Sequence, residues 1–185
     1  MAYLSPAFDQ KPVLAGIRAQ VDHLRARPMG EVSPAGLFVV GKGLEALGDD
    51  ITRSDLSPVT SVFVGGGTPT QVDPVQLAEV LARIPTVAGA EVTVECNPDD
   101  VTLELLRTYR EAGVNRVSIG VQSMVPHVLG ALGRTHQPAN VVTAVLAVRE
   151  AGIPTFNLAV IYGGAGESLA DWRATIEGGM LRGPP

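Results

Sequence analysis

From residue 59 onward the apolar positions fall into short runs, each closed by turn-forming residues. Val62-Phe63-Val64 ends at Gly65-Gly66-Gly67, and Val92-Thr93-Val94-Glu95 ends at Asn97-Pro98. Val117-Ser118-Ile119-Gly120-Val121 ends at Gln122-Ser123, and Phe156-Asn157-Leu158-Ala159-Val160-Ile161 ends at Gly163-Gly164. The lengths and the β-branched content predict strands near 61–64, 91–95, 116–121 and 156–161.

Helical periodicity fills the gaps. Asp73 can cap a helix that has Pro74 in its first position and runs to about Ile84. Asp99 and Asp100 place negative charge at the start of a helix carrying Leu103, Leu106 and Arg110, with Gly113 as a left-handed stop. Val141, Val145 and Val148 share one helical face before Gly152, and Ser168 can cap a last helix holding Leu169, Trp172 and Ile176. Strand and helix in alternation predict an α/β protein built from parallel βαβ units. The strands read as nearly continuous apolar runs, as expected when both faces of a sheet are covered. A doubly wound sheet and an arc of a TIM-type (β/α) barrel both satisfy the pattern, and in both a ligand sits beyond the carboxyl ends of the strands. Those ends carry 65–68, Glu95, Gln122 and 162–164.

The first 58 residues follow a different pattern. Val13, Leu14, Ile17, Val21 and Leu24 predict a helix over 11–26, ended by Pro28. An extra strand over 37–40 and a short helix near 44–51 follow. Gly41-Lys42-Gly43 lacks the spacing and the Ser or Thr of a phosphate loop, so it reads as a turn.

Composition narrows the function classes. The 185 residues are 45% apolar and 18% charged with a net charge of −5, and no Lys/Arg cluster offers a nucleic-acid footprint. No stretch approaches the roughly 20 apolar residues of a membrane span, and the N-terminus lacks the pattern of a secretory signal. A cytoplasmic protein is the expectation. The single cysteine, Cys96, excludes an intrachain disulfide and reads as a small buried apolar residue.

Several rim residues can carry chemistry. Gly65-Gly66-Gly67-Thr68-Pro69 lets the backbone approach a ligand closely, with amides and the Thr68 hydroxyl free to bind carboxylate, amine or phosphate, although a triple glycine is equally a tight turn. Glu95 can accept from ribose hydroxyls or pair with an amine; its bland reading is a solvated strand-end carboxylate. Gln122 sits at the same level on the next strand, and the Arg134 guanidinium can clamp a carboxylate or simply lie on the surface. His127, His136 and Cys96 lack the spacing of a metal site.

Taken together, five segments resemble one family. They are Val62 through Thr70, Glu95-Cys96-Asn97-Pro98, Gly113 through Ser123, Leu132-Gly133-Arg134-Thr135-His136, and Asn157 through Gly163. Their order and spacing resemble radical S-adenosylmethionine (SAM) proteins of the heme chaperone HemW and oxygen-independent coproporphyrinogen dehydrogenase type, over about 57–185. The resemblance implies a partial (β/α) barrel with a [4Fe–4S] cluster and SAM at the strand C-terminal ends. It maps SAM contacts onto Gly66, Gly67, Thr68, Glu95, Gln122 and Arg134, and implies heme or a porphyrin as partner. Three departures accompany it. No Cys-x-x-x-Cys-x-x-Cys loop precedes the first motif, Ala159 stands where the family has an aspartate, and the chain stops at Gly183-Pro184-Pro185.

The reading is therefore a divergent N-terminal segment, 1–58, followed by a partial radical-SAM barrel, 59–185, truncated at its C-terminus. It binds SAM without cluster-dependent catalysis. The alternatives are a cluster-free interaction module, a gene fragment, or an unrelated (β/α) enzyme using Glu95 as a general base.

Overall fold

The computed structural model describes residues 44–180. The predicted helix over 11–26, the strand over 37–40 and the turn at 41–43 lie outside them. Helix α1 (Leu44–Arg53) precedes strand β1 (Val59–Val64), and a single 3-10 turn (Pro69–Gln71) leads into α2 (Pro74–Ala82). Then come β2 (Thr86–Cys96), α3 (Leu103–Glu111), β3 (Arg116–Gln122), α4 (Pro126–Ala131), α5 (Pro138–Ala151), β4 (Thr155–Val160) and α6 (Leu169–Met180).

Local chemistry explains most boundaries. The Asp73 carboxylate accepts from the amides of Val75 and Gln76, at 2.8 and 3.2 Å, with Pro74 where no amide is needed. Gly152 closes α5 with φ +70°, a conformation that only glycine adopts at little cost. Ser168 and Asp171 cap α6 reciprocally: the Ser168 hydroxyl accepts from the Asp171 amide, and the Asp171 carboxylate accepts from the Ser168 amide. One expectation needs correcting. Thr102, whose hydroxyl accepts from the Leu105 amide at 3.1 Å, caps α3, so Asp99 and Asp100 lie in the preceding loop.

All four strands pair parallel in the order β1-β2-β3-β4. Sequential order with no reversal is an arc of a barrel rather than a doubly wound sheet, in which the order reverses at a switch point. The arc is open. Strand β2 begins earlier than its apolar run: between Val59↔Thr86 and Ser61↔Glu91, two steps along β1 match five along β2, and Gly89 at φ +78° makes the bulge.

The sheet has two unlike faces. Val92, Val94 and Cys96, then Val117, Ile119 and Val121, then Phe156 are buried against Leu77 and Leu81 of α2, Leu105, Leu106 and Tyr109 of α3, and Val141, Val145 and Val148 of α5. Burial of each large side chain contributes about 1.5–3 kcal/mol, so this layer holds the arc together. The other face carries polar side chains, of which Thr93 and Ser118 are buried. Arg116 pairs with Glu91 at 3.1 Å and donates to Asn157 Oδ1 at 3.2 Å, and Asn157 Nδ2 donates to Ser118 Oγ at 2.9 Å. Phe63 stands 64% exposed on the same face. This polar face leads to the strand C-termini.

Candidate functional site

The loop after β1 is shaped by its glycines. Gly66 and Gly67 have φ of +85° and +60°, in the left-handed region, and nothing stands within 4 Å of where a Cβ would be. Their open side is thus free for a ligand. Gly65 is crowded instead: a Cβ there would lie 2.8 Å from Glu95 Oε2 and 2.5 Å from the Phe63 ring. Its bareness lets Glu95 approach, and Glu95 Oε2 accepts from the Gly66 amide at 3.3 Å.

Gln122 ends β3 in a conformation that its sequence does not announce. Its φ is +62°, and the register with β4 slips between Gly120 and Gln122. A non-glycine residue held in the left-handed region costs on the order of 1–3 kcal/mol, and such positions cluster at ligand sites. The bend lets its carbonyl accept from the Ile161 amide at 2.8 Å while its side-chain amide lies over Gly120. A Cβ on Gly120 would come 2.9 Å from Gln122 Nε2, so a larger residue would displace the amide.

Arg134 is exposed on the turn between α4 and α5, fixed by its own amide donating to Leu129 O at 2.9 Å. Two residues on, the buried His136 bonds through Nε2 to Val121 O at 2.9 Å, which anchors this turn to β3.

These elements enclose a cleft of about 110 Å³ at the strand C-terminal ends, whose lining includes Gly67, Thr68, Glu95, Gln122 and Arg134. Gly66 does not line it but meets Glu95 through its amide. Asn97, Ser118, Gly120 and Ala159 also line it. The first three went unread as site residues, although for Ser118 and Gly120 the signal was present: Arg116, Ser118, Gly120 and Gln122 alternate with Val117, Ile119 and Val121, the period-2 signature of one polar face. A larger cleft of about 280 Å³ near the strand N-terminal ends is lined by residues such as Val62, Leu81, Val87 and Asn115 and has no ionisable side chain. Chemistry therefore points to the smaller one, which brings backbone amides, hydroxyls, a carboxylate and a guanidinium onto one surface. That donor set suits a ligand carrying an ammonium, a carboxylate and hydroxyls.

An iron–sulfur cluster does not fit this chain's residues. Three thiolates are needed to hold the irons, and the sequence has one cysteine. Cys96 lines the cleft but is only 3% exposed, its sulfur lies 3.8 Å from Val94 O, and burial, then the charges of Asp100 and Glu95, push its thiol up to about 12. It stays protonated at neutral pH and is no ready ligand. Among the described residues no group of three or more His, Cys, Asp or Glu side chains is placed to hold a metal ion.

The family model described as Radical SAM superfamily matches residues 44–177. The heme chaperone HemW of Escherichia coli (strain K12) is 37% identical over 142 residues, covering 72% of this chain and 38% of that protein. HemW of Bacillus subtilis (strain 168) is 36% identical over 124 residues, covering 64% and 33%. Among solved structures, coproporphyrinogen III oxidase (HemN) from Escherichia coli, a radical SAM enzyme, superposes with a TM-score of 0.68 at 26% identity, over 76% of this chain and 34% of that one. The archaeal Methanocaldococcus infernus Elp3, at 16% identity and a TM-score of 0.53, shares the fold. The chain spans about a third of the length of these curated relatives. Among the described residues no helix is long and apolar enough to cross a membrane. With its parallel arc, its glycine-rich rim and a family match over most of its length, the chain belongs to the radical SAM superfamily and is similar within it to the HemW type.

Proposed function

We propose that residues 59–185 form a partial radical-SAM barrel whose rim binds SAM, in a HemW-like protein that handles heme or a porphyrin, and that this chain does so without cluster-dependent catalysis. One observation carries the reading: Gly67, Thr68, Glu95, Gln122 and Arg134, separated by up to 67 positions in sequence, line one cleft.

In this reading the Glu95 carboxylate and the Thr68 hydroxyl accept from the ammonium of the ligand, while the amides of 67 and 68 donate to its hydroxyl oxygens. Gln122 reads a further hydroxyl, and Arg134 pairs with the carboxylate. SAM, when bound, supplies an activated sulfonium. The chain's residues bind and orient it, and none supplies an electron. The cluster's own hold on the ligand is missing, and each lost 1.4 kcal/mol weakens binding about tenfold, which brings affinity from the micromolar toward the millimolar range. A heme or porphyrin partner is supported by the HemW relatives alone, which are described as heme chaperones.

The test is a SAM titration followed by amide NMR. Shifts concentrated at 66–68, Glu95, Gln122 and Arg134, reduced in Glu95→Ala, are expected. No shift up to about 10 mM SAM, well past the range expected for such a rim, or shifts confined to another surface, would remove the reading.

A further inference from the structure

Asp99 and Asp100 have no part in capping α3, a role that Thr102 fills, and neither lines the cleft. They nevertheless reach both of its walls. Asp100 Oδ2 accepts from the Thr70 hydroxyl at 2.7 Å, and Asp100 Oδ1 accepts from the Gln71 side-chain amide at 2.6 Å. Thr70 is only 8% exposed and sits two residues after Thr68. On the other side Asp99 Oδ2 accepts from the Thr135 hydroxyl at 3.3 Å, and Thr135 directly follows Arg134. The loop that bears the two aspartates is itself fixed, with Asp100 N donating to Asn97 O at 3.1 Å and Pro98 buried.

We propose that Asp99 and Asp100 are positioning residues, which tie the glycine-rich wall and the Arg134 wall of the cleft to the end of β2 and so set the width of the SAM site. The inference rests on the SAM reading above. Strand β2 then supplies the floor carboxylate, Glu95, and the loop that follows it supplies the brace that holds the walls around it. The arms are unequal. Asp100 makes two short bonds from an ionised acceptor, the stronger kind. Asp99 makes one long, exposed bond, beyond the usual O–H···O range. Without the Asp100 arm the 3-10 turn over 69–71 keeps the Tyr109 hydroxyl, which donates to Pro69 O at 3.4 Å, but loses its only side-chain ties to the β2 loop among the bonds described.

The brace predicts an ordered series in the SAM titration. Asp100→Ala weakens binding about five- to tenfold, less than the tenfold or more of a charge-assisted hydrogen bond made to the ligand itself, because the loss acts through the loop. Asp100→Asn, which can accept from Gln71 and donate to the Thr70 oxygen, stays within about twofold of the parent. Thr70→Val weakens binding, and adding it to Asp100→Ala costs less than the product of the two separate effects, because they act through one bond. Asp99→Ala changes affinity by about twofold at most, as a long exposed bond warrants. A purely structural role would lower thermal stability and leave SAM affinity unmoved, with no rescue by Asn; that result would overturn the proposal.

If the parent protein binds no SAM, the functional reading falls and the brace is judged without ligand. In amide spectra of the free protein Asp100→Ala then moves Gly67 and Thr68 but not Arg134, and Asp99→Ala moves Arg134 but not Gly67. Walls whose amides ignore both substitutions would refute it.

Discussion

Replacing Gln122 with glycine separates its backbone role from its side-chain role. At φ +62° an L-residue pays about 1–2 kcal/mol against the right-handed alternative. Glycine removes that strain but gains unfolded-chain freedom worth about 0.5–1 kcal/mol. Alanine at the same place keeps the strain and lacks the side chain as well. Gln122→Gly is therefore expected to be about 0.7 kcal/mol more stable than Gln122→Ala, the difference between the middles of those two ranges. In a chain of this size that is roughly 1–4 °C in melting temperature. Urea unfolding of the two variants measures it. The SAM response should fall alike in both, since neither has the amide that lies over Gly120. An alanine variant as stable as the glycine variant would refute the strain argument, and a glycine variant with undiminished SAM shifts would refute the side-chain role.

Three further outcomes follow from particular residues. Cys96, buried and with its thiol pushed up to about 12, should be alkylated at pH 8 no faster than the protein opens, and at once in denaturant; rapid native labelling would contradict its placement. Asp73→Ala should cost about 1 kcal/mol in urea unfolding, because two amides at the start of α2 lose their acceptor. The Asp171 carboxyl is held below its ordinary value of 3.8 by the Ser168 hydroxyl and amide, then by His127 3.4 Å away. A lowered folded value means that its stabilisation is present above the ordinary value and drains as pH falls through the lower one. Carboxyl NMR should therefore find Asp171 titrating below a free aspartate, and Ser168→Ala should move it upward.

Much of the arc was legible because its punctuation is chemical. Asp73-Pro74, Gly152 and Ser168 each have one favoured structural use, and the structure puts each to it. The four strands came from β-branched runs closed by Gly, Pro or polar residues, and their parallel order follows from the helices between them. Four features were not legible. The early start of β2 depends on a bulge at Gly89, which local propensity does not encode. The short α4, with Gly130 inside it, carries too few turns to show a period. Asp99 and Asp100 looked like a helix start because acidic residues favour that position, whereas long-range bonds to Thr70 and Thr135 claim them. The strained Gln122 was picked out by its place at a strand end and by resemblance, but its unusual backbone is a tertiary effect.

The central claim is that this rim takes SAM by its own side chains and amides and that this chain holds no cluster. Isothermal titration with SAM before and after anaerobic incubation with iron and sulfide, with bound iron assayed on the same sample, tests it most directly. The expected result is the same weak affinity in both titrations, in the high-micromolar to millimolar range for a rim of hydrogen bonds and one or two charges, and negligible iron per chain. A low-micromolar dissociation constant that appears only after incubation, with about four irons bound per chain as in a [4Fe–4S] centre, would contradict it.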